Sequence, residues 1–168
     1  MRRPALALLA SALVLTPAAA AAAEEVTPQA VPTGLTASVA LGGGAELGLE
    51  SGKAGIFELE VAVGWEFPSI GLRPELAAAL GVAPDGHVAL RPGFRWSLAG
   101  FPLQLRVAAD GSNARDSDFR WRWLLFGAAG EIRFTSLLSL WGEVDTGAPL
   151  GSHAGLPLLL RGGATFRF

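Results

Sequence analysis

Nucleophilic, acid–base or metal chemistry needs reactive side chains at workable spacing, and this sequence offers few such sets. Its two histidines are His87 and His153. Ser152 stands beside His153, but neighbouring side chains of an extended segment point to opposite sides, so the two do not make a nucleophile with its base. Cysteine is absent, which removes thiol catalysis, disulfides and Cys-ligated zinc. Residues 110–118, DGSNARDSD, are rich in oxygen donors. Ala114 and Arg115 fall where the calcium loop of an EF-hand needs a ligand and a glycine, so the segment reads as a solvated loop. No cofactor, no metal and no catalytic residue is expected.

What remains is a set of acids and arginines that recur at even spacing: Glu58, Glu60 and Glu66, or Arg120 and Arg122, for example. A period of two puts such residues on one face of a strand. The polar-face residues expected to meet in the interior are Glu46, Glu58, Glu60, Glu66, Arg91, Arg106, Arg120, Arg122, Arg133, Glu143 and Arg161, and Arg73, Glu75 and Arg95 share that face. Shut away from water, these charges cost several kcal/mol each unless paired, so they are expected to form an ion-pair network.

The elements that carry them are legible as alternating strands. Leu35 to Leu49 alternates throughout, and Phe57 to Phe67 sets Phe57, Leu59, Val61, Val63, Trp65 and Phe67 against Glu58, Glu60 and Glu66. Further strands are expected over Leu72 to Val82, His87 to Leu98, Leu103 to Ala108, Phe119 to Phe134, Leu138 to Asp145 and Leu156 to Phe168. In the sixth, Phe119, Trp121 and Trp123 share one phase and Ile132 and Phe134 the other, so a β-bulge is expected within Leu124 to Gly130. The seventh is the weakest, since Trp141 falls on the polar face. Pro74, Pro92 and Pro157 each remove a ladder donor, and Pro92, being central, predicts a bulge or a shortened fourth strand. The connections after strands two, four and six read as shorter than the others.

Residues 1–23 have the layout of a cleaved signal peptide: Arg2 and Arg3, an apolar stretch from Ala5 to Leu15, and small residues up to Ala23. Residues 24–34 read as a short periplasmic segment and 35–168 as one domain. The 13 Lys+Arg of the chain less Arg2 and Arg3, against 15 Asp+Glu, leave the mature part near −4, with no basic patch to suggest nucleic acid. Mean hydropathy is high at +0.41, yet past residue 23 no apolar run reaches the ~18 residues of a membrane helix. A soluble barrel would need a well-solvated exterior, but the chain has one lysine, Lys53, and its polar face is rich in Gly, Ala and Ser. The apolar face is therefore expected outward and the charges inward. A strand of about 12 residues tilted by ~45° spans roughly 28 Å, near the hydrocarbon thickness. Trp65, Phe67, Trp96, Phe101, Phe119, Trp121 and Phe134 lie near strand ends, where interfacial aromatic girdles belong.

In a ring of eight strands, the second stands opposite the sixth and the first opposite the fifth. Glu58 and Glu60 are thus expected to face Arg120 and Arg122, Glu66 to face Arg133, Glu46 to approach Arg106, and Arg91, Arg161 and Glu143 to meet near mid-height.

Leu160, Gly162, Ala164, Phe166 and Phe168 form an alternating series that ends on phenylalanine. It resembles the assembly signal of bacterial outer-membrane β-barrel proteins, and with the strand count the chain is similar to the small eight-stranded group that includes the transmembrane domains of outer-membrane proteins A and X. The resemblance implies an all-β, eight-stranded antiparallel up-and-down transmembrane barrel. Its partners would be outer-membrane lipids, lipopolysaccharide and, during insertion, the barrel-assembly machinery; an external ligand is not legible. The function expected is structural or surface-interacting and non-enzymatic, with a narrow porin-like channel as the alternative, since eight strands leave an interior that side chains fill. A lipid-modifying barrel enzyme is the second alternative, although the His-x-Ser arrangement of the lipid A deacylases of that envelope is missing.

Overall fold

The computed structural model describes residues 34–49, 52–83, 85–113, 118–150 and 155–168. Residues 1–23, expected to be a signal peptide, residues 24–33 and the Ser152–His153 pair lie outside them. Eight strands follow one another: β1 (Leu35–Leu49), β2 (Gly52–Trp65), β3 (Leu72–Ala83), β4 (His87–Ser97), β5 (Leu103–Ser112), β6 (Arg120–Arg133), β7 (Leu138–Pro149) and β8 (Leu156–Arg167). Each pairs antiparallel with the next, and β8 returns to β1, closing the barrel. Closure leaves the sheet without an edge strand among the described residues.

Period-two patterning decides which way each strand faces. Along β3 buried Arg73, Glu75, Ala77 and Ala79 alternate with outward Pro74, Leu76, Ala78 and Leu80, and β4 continues with buried His87, Ala89, Arg91 and Arg95. The outward face is leucine, valine, isoleucine, phenylalanine and tryptophan, among them Leu41, Val63, Leu80, Val88, Leu105, Leu140 and Leu160, all exposed. The buried interior holds the charges.

The barrel has a near end, where β1 begins and β8 finishes, and a far end. Turns at the near end use Gly71 (φ 67°) and Gly100 (φ 80°) in the left-handed region, which glycine enters without steric cost. The expected difference in connection length is not found. Near-end connections cover residues 66–71, 98–102 and 134–137, and far-end ones 50–51, 84–86, 113–119 and 150–155. Strands β5 and β7 run further than their alternation suggested, because small or polar residues such as Asp110, Ser112 and Gly147 are buried on the inner face.

The bulge in β6 lies earlier than expected. Asp110 pairs with Trp123 and Gly111 with Trp121, so the extra residue is Arg122, and Trp123 is buried rather than outward. Strand β7 is complete, with Trp141 buried on the inner face, its Nε1–H donating to Thr165 Oγ1 at 3.1 Å. Nor does Pro92 interrupt β4. It pairs with Leu76 of β3, and the cost falls on the other side, where the β4–β5 ladder passes from Leu90–Gly111 to Gly93–Ala108 without shifting register. Pro74 and Pro157 sit one residue beyond the ends of the β2–β3 and β7–β8 ladders, where no donor is needed.

Candidate functional site

The lumen gathers the polar-face residues into three tiers. The middle tier is built on Arg91 and Arg95 of β4, Arg106 of β5 and Arg161 of β8, each almost wholly buried. A guanidinium presents five donors in a planar fork, which lets each of these bridge several strands. Arg106 reaches Glu60 at 3.1 Å, Glu75 at 2.7 Å and Glu143 at 3.3 Å. Arg161 holds Glu60 at 2.6 Å, Glu143 at 3.0 Å and Asp145 at 2.6 Å. Arg91 holds Glu58 at 2.7 Å, Glu60 at 2.8 Å and Asp110 at 2.6 Å. Arg95 holds Glu75 at 2.9 Å, pairs with Glu143 and lies 4.6 Å over the Trp141 ring. Arg73 approaches Glu75 at 3.8 Å.

Space for these forks comes from small residues on the facing strands. A Cβ on Gly42 would lie 2.5 Å from Arg161 Cγ, and one on Gly127 would lie 2.4 Å from Asp145 Oδ1. Ala77, Ala79, Ala89, Ala108 and Ala129 are likewise buried. The small half of the polar face is thus the seat for the charged half.

At the near end Arg167 holds Glu66 at 2.7 Å, pairs with Glu131 and donates to Ser139 Oγ at 2.9 Å. Gln104 and Ser139 also donate to Glu131. Arg133, with its side chain 38% exposed, reaches Glu66 at 3.1 Å. At the far end Arg122 reaches Glu46 at 3.1 Å and lies 4.4 Å over the Trp123 ring. Trp123 Nε1–H donates to Gly155 O at 2.9 Å, and Gly155 N–H to Glu46 Oε1 at 2.7 Å. His87 stands between Asp85 O at 2.8 Å and Glu58 Oε1 at 3.3 Å.

Ten of the eleven expected lumen residues are brought together, and several pairings differ. Glu66 meets Arg133 and Arg161 meets Glu143. Arg120 is not in the lumen: it sits at the far rim, its side chain 58% exposed, beside Asp118 at 3.5 Å. The bulge at Arg122 ends the regular alternation just before it. Glu58 and Glu60 bind Arg91 two strands away, not the arginines of β6, and Glu46 takes Arg122 instead of Arg106. A guanidinium on a long stem reaches its neighbours around the ring as easily as across it, so opposition of strands does not fix partners. Arg91 and Glu143 belong to one network, linked through Glu60 and Arg161.

Arg73, Glu75, Arg95, Asp110, Glu131, Asp145 and Arg167 are network members beyond the expected set. Arg73, Glu75 and Arg95 share the parity of Arg91 and were findable by it. Asp110 falls in the segment that reads as a loop, Glu131 shares the parity of Arg133 and is findable by it, and Arg167 stands between two residues of the terminal series. That series faces outward, with Leu160, Phe166 and Phe168 exposed and Gly162 and Ala164 between them, and Phe168 N–H donates to Leu35 O at 3.0 Å. All seven expected girdle aromatics are exposed. Trp65, Phe67, Trp96, Phe101 and Phe134 lie at the near end, and Phe119 and Trp121 at the far end.

Two solved structures share this architecture. The fold is a closed eight-stranded β-barrel. Neisserial surface protein A superposes with a TM-score of 0.55 at 11% identity, over 80% of this chain and 99% of that one. A structure described as a de novo design of transmembrane β-barrels gives 0.51 at 14% identity, over 82% of this chain and 97% of the design. No family model and no curated protein matches the sequence.

Proposed function

We propose that this chain is an integral β-barrel of a bacterial outer membrane, non-enzymatic, with a structural or surface-interaction role and an interior plugged by ion pairs. The observation that carries the reading is the inversion of polarity: the wall is apolar around the ring, while arginines and carboxylates fill the lumen. In water that distribution would expose apolar surface far beyond what monomeric soluble proteins tolerate; in a bilayer it is the stable one. A neisserial surface protein and a transmembrane design with the same fold support it. On this reading the wall is solvated by lipid and lipopolysaccharide, the assembly machinery reads the series ending at Phe168, and residues 1–23 are removed on export.

Fractionation and conductance test the proposal. The chain expressed in a Gram-negative host is expected in the outer-membrane fraction, starting at Glu24, with heat-modifiable gel mobility. In planar bilayers the folded protein is expected to pass almost no current. Recovery as a soluble periplasmic protein would overturn the membrane reading, and steady conductance would replace the plug with a channel.

A further inference from the structure

Three observations converge on one short piece of wall, Ala109 to Ser112 of β5. Its ladder to β4 lacks the rungs of Arg91 and Pro92, between Leu90–Gly111 and Gly93–Ala108, and proline has no N–H to supply one. Its ladder to β6 shifts register at the next position, between Asp110 and Gly111. Two buried polar atoms of the same piece, Asp110 Oδ2 and Ser112 Oγ, have no hydrogen-bond partner among the described residues. Buried polar atoms are nearly always satisfied; Asp145 Oδ1 of β7 is another without a hydrogen-bond partner among the described residues, so what sets this piece apart is that its orphans coincide with a missing rung and a register shift.

Side chains stand in for the missing backbone bonds. From inside, Arg91 Nε donates to Asp110 Oδ1 at 2.6 Å, tying β4 to β5 across the gap. From outside, Phe119 and Trp121, stacked edge to face at 6.1 Å, lie on Gly111, where a Cβ would come within 2.7 Å of the Phe119 ring. Next to this piece, at the far mouth, Ser112 lines a small cavity together with Glu58, His87 and Arg122.

We propose that the β4–β5 seam at Pro92 and Ala109 is a built-in opening section of the barrel wall, latched inside by Arg91–Asp110 and bounded on its far side by Phe119 and Trp121 packed on Gly111. When the strands part there, water from the far mouth, where Ser112 already lines the cavity, reaches Asp110 Oδ2, and the middle tier gains a second approach. By contrast, β8 between residues 158 and 165 pairs on both sides without interruption. The proposal rests on the plugged-lumen reading; its readout is local exchange, whereas that reading is judged by conductance, so each can fail alone.

Amide hydrogen exchange on the full, folded barrel in detergent micelles or lipid nanodiscs tests it. Peptides covering residues 108–111 are expected to exchange at least tenfold faster than those covering 158–165. Asp110→Asn, which weakens the latch, is expected to raise the local rate another several-fold while leaving 158–165 unchanged. Because that variant could fail to fold, a second one reads the seam from the opposite direction. The chain has no native cysteine, so Pro92→Cys with Ala109→Cys gives a single staple across the gap. Oxidising it is expected to bring residues 108–111 down to the rate of β8. Equal rates in the two regions of the unmodified protein would overturn the proposal, as would fast exchange at 108–111 that persists after the staple has formed.

Discussion

The middle of the lumen and its near-end rim are made of the same residue types, yet their surroundings give them different weight. Arg106, in the middle, is fully buried and meets three carboxylates contributed by β2, β3 and β7. Arg133, at the rim, is more than a third exposed and meets Glu66 and Glu131. A charge in the middle has no water to fall back on, so each member depends on the others, and losing one leaves several uncompensated. A charge at the rim exchanges its partner for solvent at little cost. The same pairing therefore fixes the arrangement of strands in one place and adds almost nothing in the other. Buried pairs are not a source of net stability in themselves, since desolvation offsets the attraction; what they supply is a large penalty for every arrangement that leaves them unmatched.

The comparison breaks most sharply at Arg106. Arg106→Met keeps the stem and removes the charge, and is expected to cost about 3–5 kcal/mol, read as a lower urea midpoint of the folded barrel in micelles by tryptophan fluorescence. A loss under 1 kcal/mol would mean that water already solvates the middle tier.

Next in size is a coupling. Arg161→Met and Asp145→Leu each strand a partner when made alone, whereas together they remove both ends of a 2.6 Å contact. The double variant is expected to be less destabilised than the sum of the singles by roughly 1–3 kcal/mol. Strict additivity would show that Arg161 draws nothing from Asp145.

Trp141→Phe keeps an aromatic ring inside while removing the hydrogen bond to Thr165 and weakening the face under Arg95. The expected loss is ~1–2 kcal/mol in the same unfolding assay, with the barrel still closed by its gel mobility.

The smallest effect belongs to the rim. Arg133→Ala is expected to change stability by less than about 1 kcal/mol, and raising salt from 0.05 to ~0.5 M should erase even that, since the Debye length then falls well below 10 Å. The Arg106→Met loss should hardly respond to salt. If both variants respond alike, the distinction between middle and rim is wrong.

Much of the wall is legible in the sequence, because a strand's period is two and one phase per strand decides its whole outer face. Strands β3, β4 and β8 carry the expected phase along their length, β1 carries it as far as the register shift after Glu46, and among the apolar residues counted outward Trp123 is the exception, being buried. Where phase changed, the reading slipped. Two aromatic residues in succession, Trp121 and Trp123, look like one face, and nothing local reports that Arg122 between them is the bulged residue. Trp141 looked like a flaw in β7 because a tryptophan on a polar face has no meaning until Arg95 and Thr165 are placed around it.

The amino-acid sequence by itself determined that the chain alternates, how many times, and that its polar face is half small and half charged. Those are properties of neighbours along one strand, and they fix a closed sheet with an apolar exterior. Only the tertiary structure decided which carboxylate meets which guanidinium, that Asp110 belongs inside while Arg120 belongs outside, and that Pro92 spares β3 and opens the seam to β5. Ion-pair choice depends on side chains four bonds long that reach two or three strands, and the missing rung depends on which neighbour a backbone N–H would have faced. Both are set by register between strands, which no single strand encodes.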